Sequence, residues 1–398
     1  VNRIKFRISS WLIASAIAAL TFLTSCALPR VDAAQRTFLD ISLEFLGEYQ
    51  MPKAEYKDTP VGGLSGLTYD RQRNLFYAVS DDHSELAPAR FYTLKLILNT
   101  PVEEKPSIQK VEVQDVTYLG DENGNTIPEG TVDTEAIALS PQQSVFISSE
   151  GIASKSIPPF VNEFDLKTGK LRQSLPIPKR YIPDAPGENQ RLGIQNNFAF
   201  ESLTLNPTGT IPAKGEPFRL FAATESALVQ DKDPVTTPTK DSPKQQGAKC
   251  RLLHYLLSDG PPVLISEHVY QLEPRPSGSV YHGLTELLAL DQGGHFLSLE
   301  RSFGLLGFNA RIFQAATGGA TDTSSIASLK GNISSIQPVK KKLLLDLNQL
   351  GIALDNLEGM TLGPRLPDGS QSLLVVSDNN FDENQVTQFL LFRLNSNR

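Results

Sequence analysis

The sequence predicts an all-β protein, a single β-propeller with five four-stranded blades favoured and six allowed. Three observations carry that expectation. A short pattern recurs five times in 398 residues: a polar residue, a small one, an aliphatic, and after a turn a β-rich run ending in an acid. Each copy is followed by further strand-like runs, giving four strands per repeat, the signature of blades set around a channel. The 28 glycines and 27 prolines supply many turns and leave little room for long helices. With 40% hydrophobic and 20% charged residues the composition is that of an ordinary globular protein. A net charge of −7 argues against a nucleic-acid binder, which needs a basic patch. Two cysteines exclude a disulfide framework and a Cys-rich zinc site.

Residues 1–25 read as a targeting segment. Arg3, Lys5 and Arg7 form a basic start, and residues 11–23 are uncharged and mostly apolar. As a helix that run is about 20 Å long, short of the ~30 Å hydrocarbon core of a bilayer, so it reads as a signal-peptide core. Leu23-Thr24-Ser25-Cys26 follows at once and resembles the bacterial lipobox, in which the cysteine is lipidated and becomes the N-terminus. Ordinary cleavage after Ala33 is the alternative. Either way the protein is expected outside the cytoplasm: a periplasmic, outer-membrane or cell-surface lipoprotein, or a secreted chain. Loss of residues 1–25 removes three positive charges and leaves a mature chain of −10. Residues 26–38 are then a linker and 39–398 the folded domain. Cys250 is left alone, expected as a buried small hydrophobe.

The five copies begin at Ser65-Gly66-Leu67-Thr68-Tyr69, Glu135-Ala136-Ile137-Ala138-Leu139, Glu201-Ser202-Leu203-Thr204-Leu205, His282-Gly283-Leu284-Thr285-Glu286 and Glu358-Gly359-Met360-Thr361-Leu362. Their second runs end at Asp81, Glu150, Glu225, Glu300 and Asp378. Copies one to four have two more strand-like runs each. Copy five has one, residues 388–394, and residues 41–49 are the evident donor of its missing strand. Pairing the two chain ends closes the ring and removes free edges. A sixth blade would have to lie in 227–281 or 303–357. Three segments interrupt the rhythm: 179–197, the polar 231–249, read as a mobile surface loop, and the Gly/Ser/Thr-rich 317–340, read as holding a short helix around 324–330. The repeat crosses all three, so they are read as loops on one domain.

In a propeller the first strand of each blade lines the channel and the second runs back beside it. The start of the one and the end of the other therefore share an edge. This gathers Ser65, Glu135, Glu201, His282 and Glu358 with Asp81, Glu150, Glu225, Glu300 and Asp378 around one mouth. Two carboxylates about 6 Å apart at an effective dielectric of ~20 repel by about 3 kcal/mol. Raised pKa values, basic partners or bound cations must relieve such a ring. Oxygen-rich donors suit hard divalent cations, Ca²⁺ above all. The candidate metal ligands are thus Asp81, Glu135, Glu150, Glu201, Glu225, Glu300, Glu358 and Asp378. The alternative is that each acid accepts hydrogen bonds from turn amides and only fixes its blade. His83, Arg90 and Arg301 follow the acids closely, and with Glu201 they form the candidate catalytic and anion-orienting set. Lys155 and Arg191 are further basic candidates.

At these residues the chain resembles the phytase-like family, also called "esterase-like activity of phytase". The resemblance rests on Gly62-Gly63-Leu64-Ser65-Gly66-Leu67 with Tyr77-Ala78-Val79-Ser80-Asp81-Asp82, on Asn197-Phe198-Ala199-Phe200-Glu201-Ser202-Leu203, and on Asn356-Leu357-Glu358-Gly359-Met360 with Ser377-Asp378-Asn379-Asn380. It spans roughly residues 58–396. It implies phosphoric-ester or esterase activity and kinship with calcium-dependent propeller phytases. His282 departs from the Glu pattern in copy four.

Three functions compete at this stage. The first is an exported, Ca²⁺-dependent phosphoric-ester hydrolase acting on a small anionic substrate, monomeric, without nucleic acid and bound to the membrane only by its lipid. The second is a non-catalytic, surface-anchored binding or scaffold propeller with structural calcium. The third is a carboxylesterase with Ser65 as nucleophile and His282 or His83 as base. Gly63-Leu64-Ser65-Gly66 lacks the glycine two places after serine that a nucleophile elbow requires.

Overall fold

The computed structural model describes residues 37–100, 104–206, 215–234 and 246–396. The targeting segment and Cys26 lie outside them. Residues 1–39 form a unit separate from Asp40–Arg398, and only 37–39 of it are described.

The chain builds five four-stranded antiparallel sheets. Blade A is β4 (Leu64–Asp70), β5 (Leu75–Ser80), β6 (Arg90–Asn99) and β7 (Ser107–Tyr118). Blade B is β8 (Thr134–Ser140), β9 (Ser144–Ser149), β10 (Phe160–Asp165) and β11 (Leu171–Ser174). Blade C is β12 (Phe200–Leu205), β13 (Phe218–Thr224), β14 (Lys249–Leu257) and β15 (Val263–Gln271). Blade D is β16 (Ser279–Ala289), β17 (His295–Gly304), β18 (Gly307–Ala316) and β19 (Lys340–Asp346). Blade E is β20 (Asn356–Arg365), β21 (Gln371–Asp378), β22 (Thr387–Ser396) and, as its fourth strand, β1 (Ile41–Met51). The pairing runs from Ile41↔Ser396 to Met51↔Thr387, the closure expected from the sequence. A hairpin of β2 (Ala54–Tyr56) and β3 (Thr59–Val61) leads into blade A.

Five hydrophobic clusters fill the five inter-blade interfaces. Strand alternation divides the side chains between them. In β5, Phe76 and Ala78 face blade E while Tyr77 and Val79 face blade B. In β21, Leu373 and Val375 face blade D while Leu374 and Val376 face blade A. Both faces are buried, so the second strands read as continuous apolar runs. Cys250 is free and buried at the blade C–D interface.

The inserted segments differ from expectation. Residues 324–330 form turns and bends rather than a helix. Segment 317–340 is laid along the outer strand of blade C: the Thr323 N–H donates to the Glu267 carbonyl at 2.7 Å and the Val339 N–H to the Val269 carbonyl at 2.8 Å. Backbone pairing of this kind replaces the helical hydrogen bonds. The described ends of 231–249 are tied to the blades by buried ion pairs and hydrogen bonds. Asp231 and Arg251 form a fully buried ion pair, Arg251 also binds Glu267, and the buried Lys249 ammonium donates to Asp233, Leu329 and Gly331. The middle of that segment lies outside the described residues.

Candidate functional site

In all five blades a β-bulge interrupts the pairing of the first two strands. Ser65, Glu135, Glu201, Thr285 and Glu358 are the residues at the register shifts. A bulge re-aims its side chain and terminates regular pairing, here at the channel mouth. Beside the bulge, Leu64, Thr134, Phe200, Leu284 and Leu357 pair with Ser80, Ser149, Thr224, Glu300 and Ser377. The next residues are therefore equivalent: Asp81, Glu150, Glu225, Arg301 and Asp378.

This register corrects copy four. The structure sets its first strand three residues later, and its second one residue later, than the repeat pattern predicts. Thr285, not His282, occupies the bulge, and Arg301, not Glu300, occupies the ring. Glu300 sits mid-strand because β17 continues to Gly304, and the pleat turns it back toward blade C. There it accepts from Tyr270 Oη at 2.8 Å and pairs with Lys341, and His282 Nε2 lies 3.4 Å from it. These bonds outweigh its burial and hold its carboxyl below the usual range. Glu300 thus lies outside the ring, ion-paired within blade D and hydrogen-bonded to Tyr270 of blade C.

The other acids do converge. Glu150 accepts the Ala199 N–H of blade C. Arg301 donates to Glu358 at 2.6 Å and Glu225 at 3.1 Å, and also binds Asn356. One ligand oxygen each from Asp133, Glu135 and Glu150 can be chosen so that all lie within 4.8 Å of one another, and Asp81, His83 and Asp133 meet the same condition. Asp133, which precedes copy two, was not singled out in the sequence. Its position has no carboxylate in the pattern of the other copies, so repetition gives no signal for it.

Burial first, and then neighbouring negative charge, pushes Asp81, Glu135, Glu150, Glu201 and Asp378 well above the usual carboxylate range. Burial also raises Glu358, partly offset by Arg301, and raises Glu225 to about 7. His83 Nε2–H donates to Asp133 Oδ1 at 2.7 Å, and that hydrogen bond, more than any other cause, raises its pKa. Asp81 Oδ1, Glu358 Oε2 and Arg301 Nε are buried and find no hydrogen-bond partner among the described residues. Orphaned polar atoms are costly in a low-dielectric interior and mark a place where a ligand is expected.

The loops that carry these groups are strained. His83 and Ser84 adopt φ of 53° and 61°, Asn197 54°, Asn380 46° and Phe381 51°. Such conformations concentrate where a site over-determines the backbone. Gly63 is required: at φ +62° a Cβ would lie 2.3 Å from the Asp81 carbonyl.

The remaining candidates do not reach the cluster. Arg90 is fully buried and committed to Asp82, to the Tyr92 hydroxyl at 2.6 Å and to the Pro60 carbonyl at 3.2 Å. It anchors the loop that bears His83 rather than facing an anion. Lys155 donates to the Gly130 carbonyl at 3.1 Å, and Arg191 to the Glu188 carbonyl at 2.8 Å. The Ser65 hydroxyl is spent on the Glu135 carbonyl at 2.7 Å, while His83 and His282 are turned to Asp133 and Glu300. No Ser–His pair forms between them. Sequence reading also missed Glu286, which takes the small-residue position of the pattern once copy four is registered correctly. It is buried at the channel wall, accepts from the Leu287 N–H at 2.9 Å, and burial raises its pKa.

Comparison with solved structures finds chains of low similarity. The catalytic domain of a GH62 α-L-arabinofuranosidase from Coprinopsis cinerea is 12% identical, with a TM-score of 0.39, covering 89% of this chain and 97% of that one. An endo-arabinase from Bacteroides thetaiotaomicron is 9% identical, with a TM-score of 0.35, covering 87% and 97%. Neither likeness bears on function. No curated protein matches. The family described as "Phytase-like: Esterase-like activity of phytase" matches residues 59–381, which takes in blades A to D, the first two strands of blade E and every ring residue. The chain belongs to the phytase-like family.

Proposed function

We propose that the protein is an exported, metal-dependent hydrolase of phosphoric esters, with Ca²⁺ held among the ring carboxylates. The carrying observation is the juxtaposition of Asp133, Glu135 and Glu150 oxygens within 4.8 Å with the orphaned Asp81 Oδ1 in the neighbouring group. The donor set is oxygen-only apart from His83, which suits a hard divalent cation. Asp81, Asp133, Glu135 and Glu150 would hold it, and Glu358 Oε2 supplies a further free oxygen. When bound, the cation would neutralise phosphoryl oxygens and acidify a water.

The chain's own residues supply the rest. Three of the five Arg301 N–H donors go to Glu358, Asn356 and Glu225, and the unpartnered Nε–H is one of the two left for a phosphoryl oxygen. Glu201 is buried beside Glu150, Glu225 and Glu358, which raises its pKa, and a bound cation would favour its ionised form, the form that can accept a proton from an attacking water. His83, half-exposed and held by Asp133, stays protonated to higher pH than a free imidazole and can deliver a proton to the departing alkoxide. The phosphorus gains the water oxygen and loses the ester oxygen, and the two protons pass through Glu201 and His83. The test is turnover of 4-nitrophenyl phosphate with Ca²⁺ against a chelated control. Calcium-dependent turnover supports the reading; equal rates, with no turnover of a phosphodiester either, reject it.

One observation favours a non-catalytic alternative. Arg301 already neutralises Glu225 and Glu358, so part of the ring is satisfied as a blade-to-blade lock. Calcium-dependent stabilisation without turnover would select that reading. The proposal includes export and lipid attachment at Cys26, with a monomeric domain acting on a small anion. Cys26→Ser should shift the protein from the membrane fraction to the soluble one.

A further inference from the structure

Blade D departs from its neighbours at the mouth. β16 begins at Ser279, six residues before its bulge at Thr285, and β17 runs three residues past Arg301. The other first strands start within two residues of their bulge, and their second strands stop at or before the ring position. Blade D therefore stands higher than the rest. Its register defines two successive rows on one face. Gly283, Arg301 and Ala310 form the row at the carboxylates. The next row outward is Tyr281, Phe303 and Phe308.

These rings are at the surface, Tyr281 46% exposed and Phe303 38%. Phe303 and Phe308 lie 4.6 Å apart between centroids, and Tyr281 lies 5.9 Å from Phe198. Phe198 immediately precedes Ala199, whose N–H binds Glu150. Three of the four rings thus lie one row out from Arg301, and the fourth is the chain neighbour of the amide that Glu150 accepts. One pleat repeat, about 7 Å, separates the aromatic row from the Arg301 row. That spacing matches an anion held near Arg301 Nε and a ring attached a bond or two away. Flat, partly exposed rings offer offset stacking to another ring, a geometry that a flexible chain does not use.

We propose that the Tyr281–Phe303–Phe308 row, with Phe198, is a shelf for an aromatic ring in the alcohol part of the substrate, so that the site takes aryl-bearing esters. This rests on the phosphoric-ester reading above. The test titrates phenylphosphonate and methylphosphonate, neither of which has an ester bond to cleave, into the full chain in calcium buffer by calorimetry. Phenylphosphonate should bind at least tenfold more tightly. Tyr281→Ala and Phe303→Ala, with unchanged circular dichroism, should bring the ratio to within threefold of one, and Tyr281→Phe should preserve it. Leu306→Ser, at the 96% exposed hairpin tip, is the control that should leave the ratio alone. Equal affinities in the wild type, or an equal fall in the Leu306→Ser control, overturn the shelf and leave the phosphoric-ester reading intact. Binding of neither phosphonate overturns the anion site and the shelf together.

Discussion

Arg301 occupies in blade D the strand position that Glu225 occupies in blade C, and the two side chains meet at 3.1 Å. One blade of a pseudo-fivefold ring has exchanged an acid for a base. The guanidinium spans from Glu225 to Glu358 and so ties blades C, D and E at the mouth. Removing one partner of a buried pair leaves an uncompensated charge, which costs about 3–5 kcal/mol. Arg301→Met should therefore lower the melting temperature by several degrees at pH 7.5 in chelator. The loss should shrink when calcium is added. A variant that melts like the wild type would show that Arg301 is not the ring's counter-charge.

Glu225 has a pKa raised from 4.5 to about 7, so the folded protein binds more protons than the unfolded chain between those values. Where the native state holds the extra proton, stability falls as pH rises. For Glu225 alone the loss across that window is about 3 kcal/mol. Its ring neighbours are raised for the same reason and act in the same sense. In chelator the melting temperature should fall from pH 5 to pH 7.5, and calcium should flatten or reverse the slope, since a cation favours the ionised forms. A chelated protein that gains stability over this range would contradict the electrostatic description of the mouth.

His83 is held charged chiefly by Asp133. Asp133→Asn removes that acceptor charge, so the imidazole should titrate at lower pH. Proton NMR of the five histidines can follow it, with His83→Gln assigning the signal. An unmoved midpoint would mean that His83 and Asp133 are not paired in solution.

Gly63 is fixed by geometry rather than chemistry. At φ +62° and with the Asp81 carbonyl at the Cβ position, Gly63→Ala demands a backbone shift where Asn379 Oδ1 accepts the Gly63 N–H at 2.9 Å. It should cost more than the ~1 kcal/mol of an ordinary left-handed substitution, and it should weaken calcium binding because it moves Asp81. Urea melts and calcium titration of the variant read both effects.

The fold was legible because both faces of each second strand are buried. That makes runs such as Leu373-Leu374-Val375-Val376 continuous and easy to align. The closing strand was legible because copy five lacked one run and the chain start offered one. Copy four was misregistered for a physical reason. Extending β16 and β17 beyond the mouth adds residues that resemble the pattern, and the pleat, not the order of letters, decides that Arg301 rather than Glu300 enters the ring. Asp133 and Glu286 escaped because neither position repeats as a carboxylate. The loop-to-blade bonds around Thr323 and Val339 escaped because a polar segment carries no mark of the sheet edge it will cover.

The central claim is that carboxylates drawn from separate blades form one cation site. Calcium titration of the chelated protein at pH 7.5, followed by thermal shift, tests it most directly. A rise in melting temperature that grows with calcium concentration is expected, as for any ligand that binds only the folded state, and it should be lost both in Asp133→Asn/Glu150→Gln of blade B and in Asp81→Asn of blade A. A chelated protein whose melting is indifferent to calcium would contradict it.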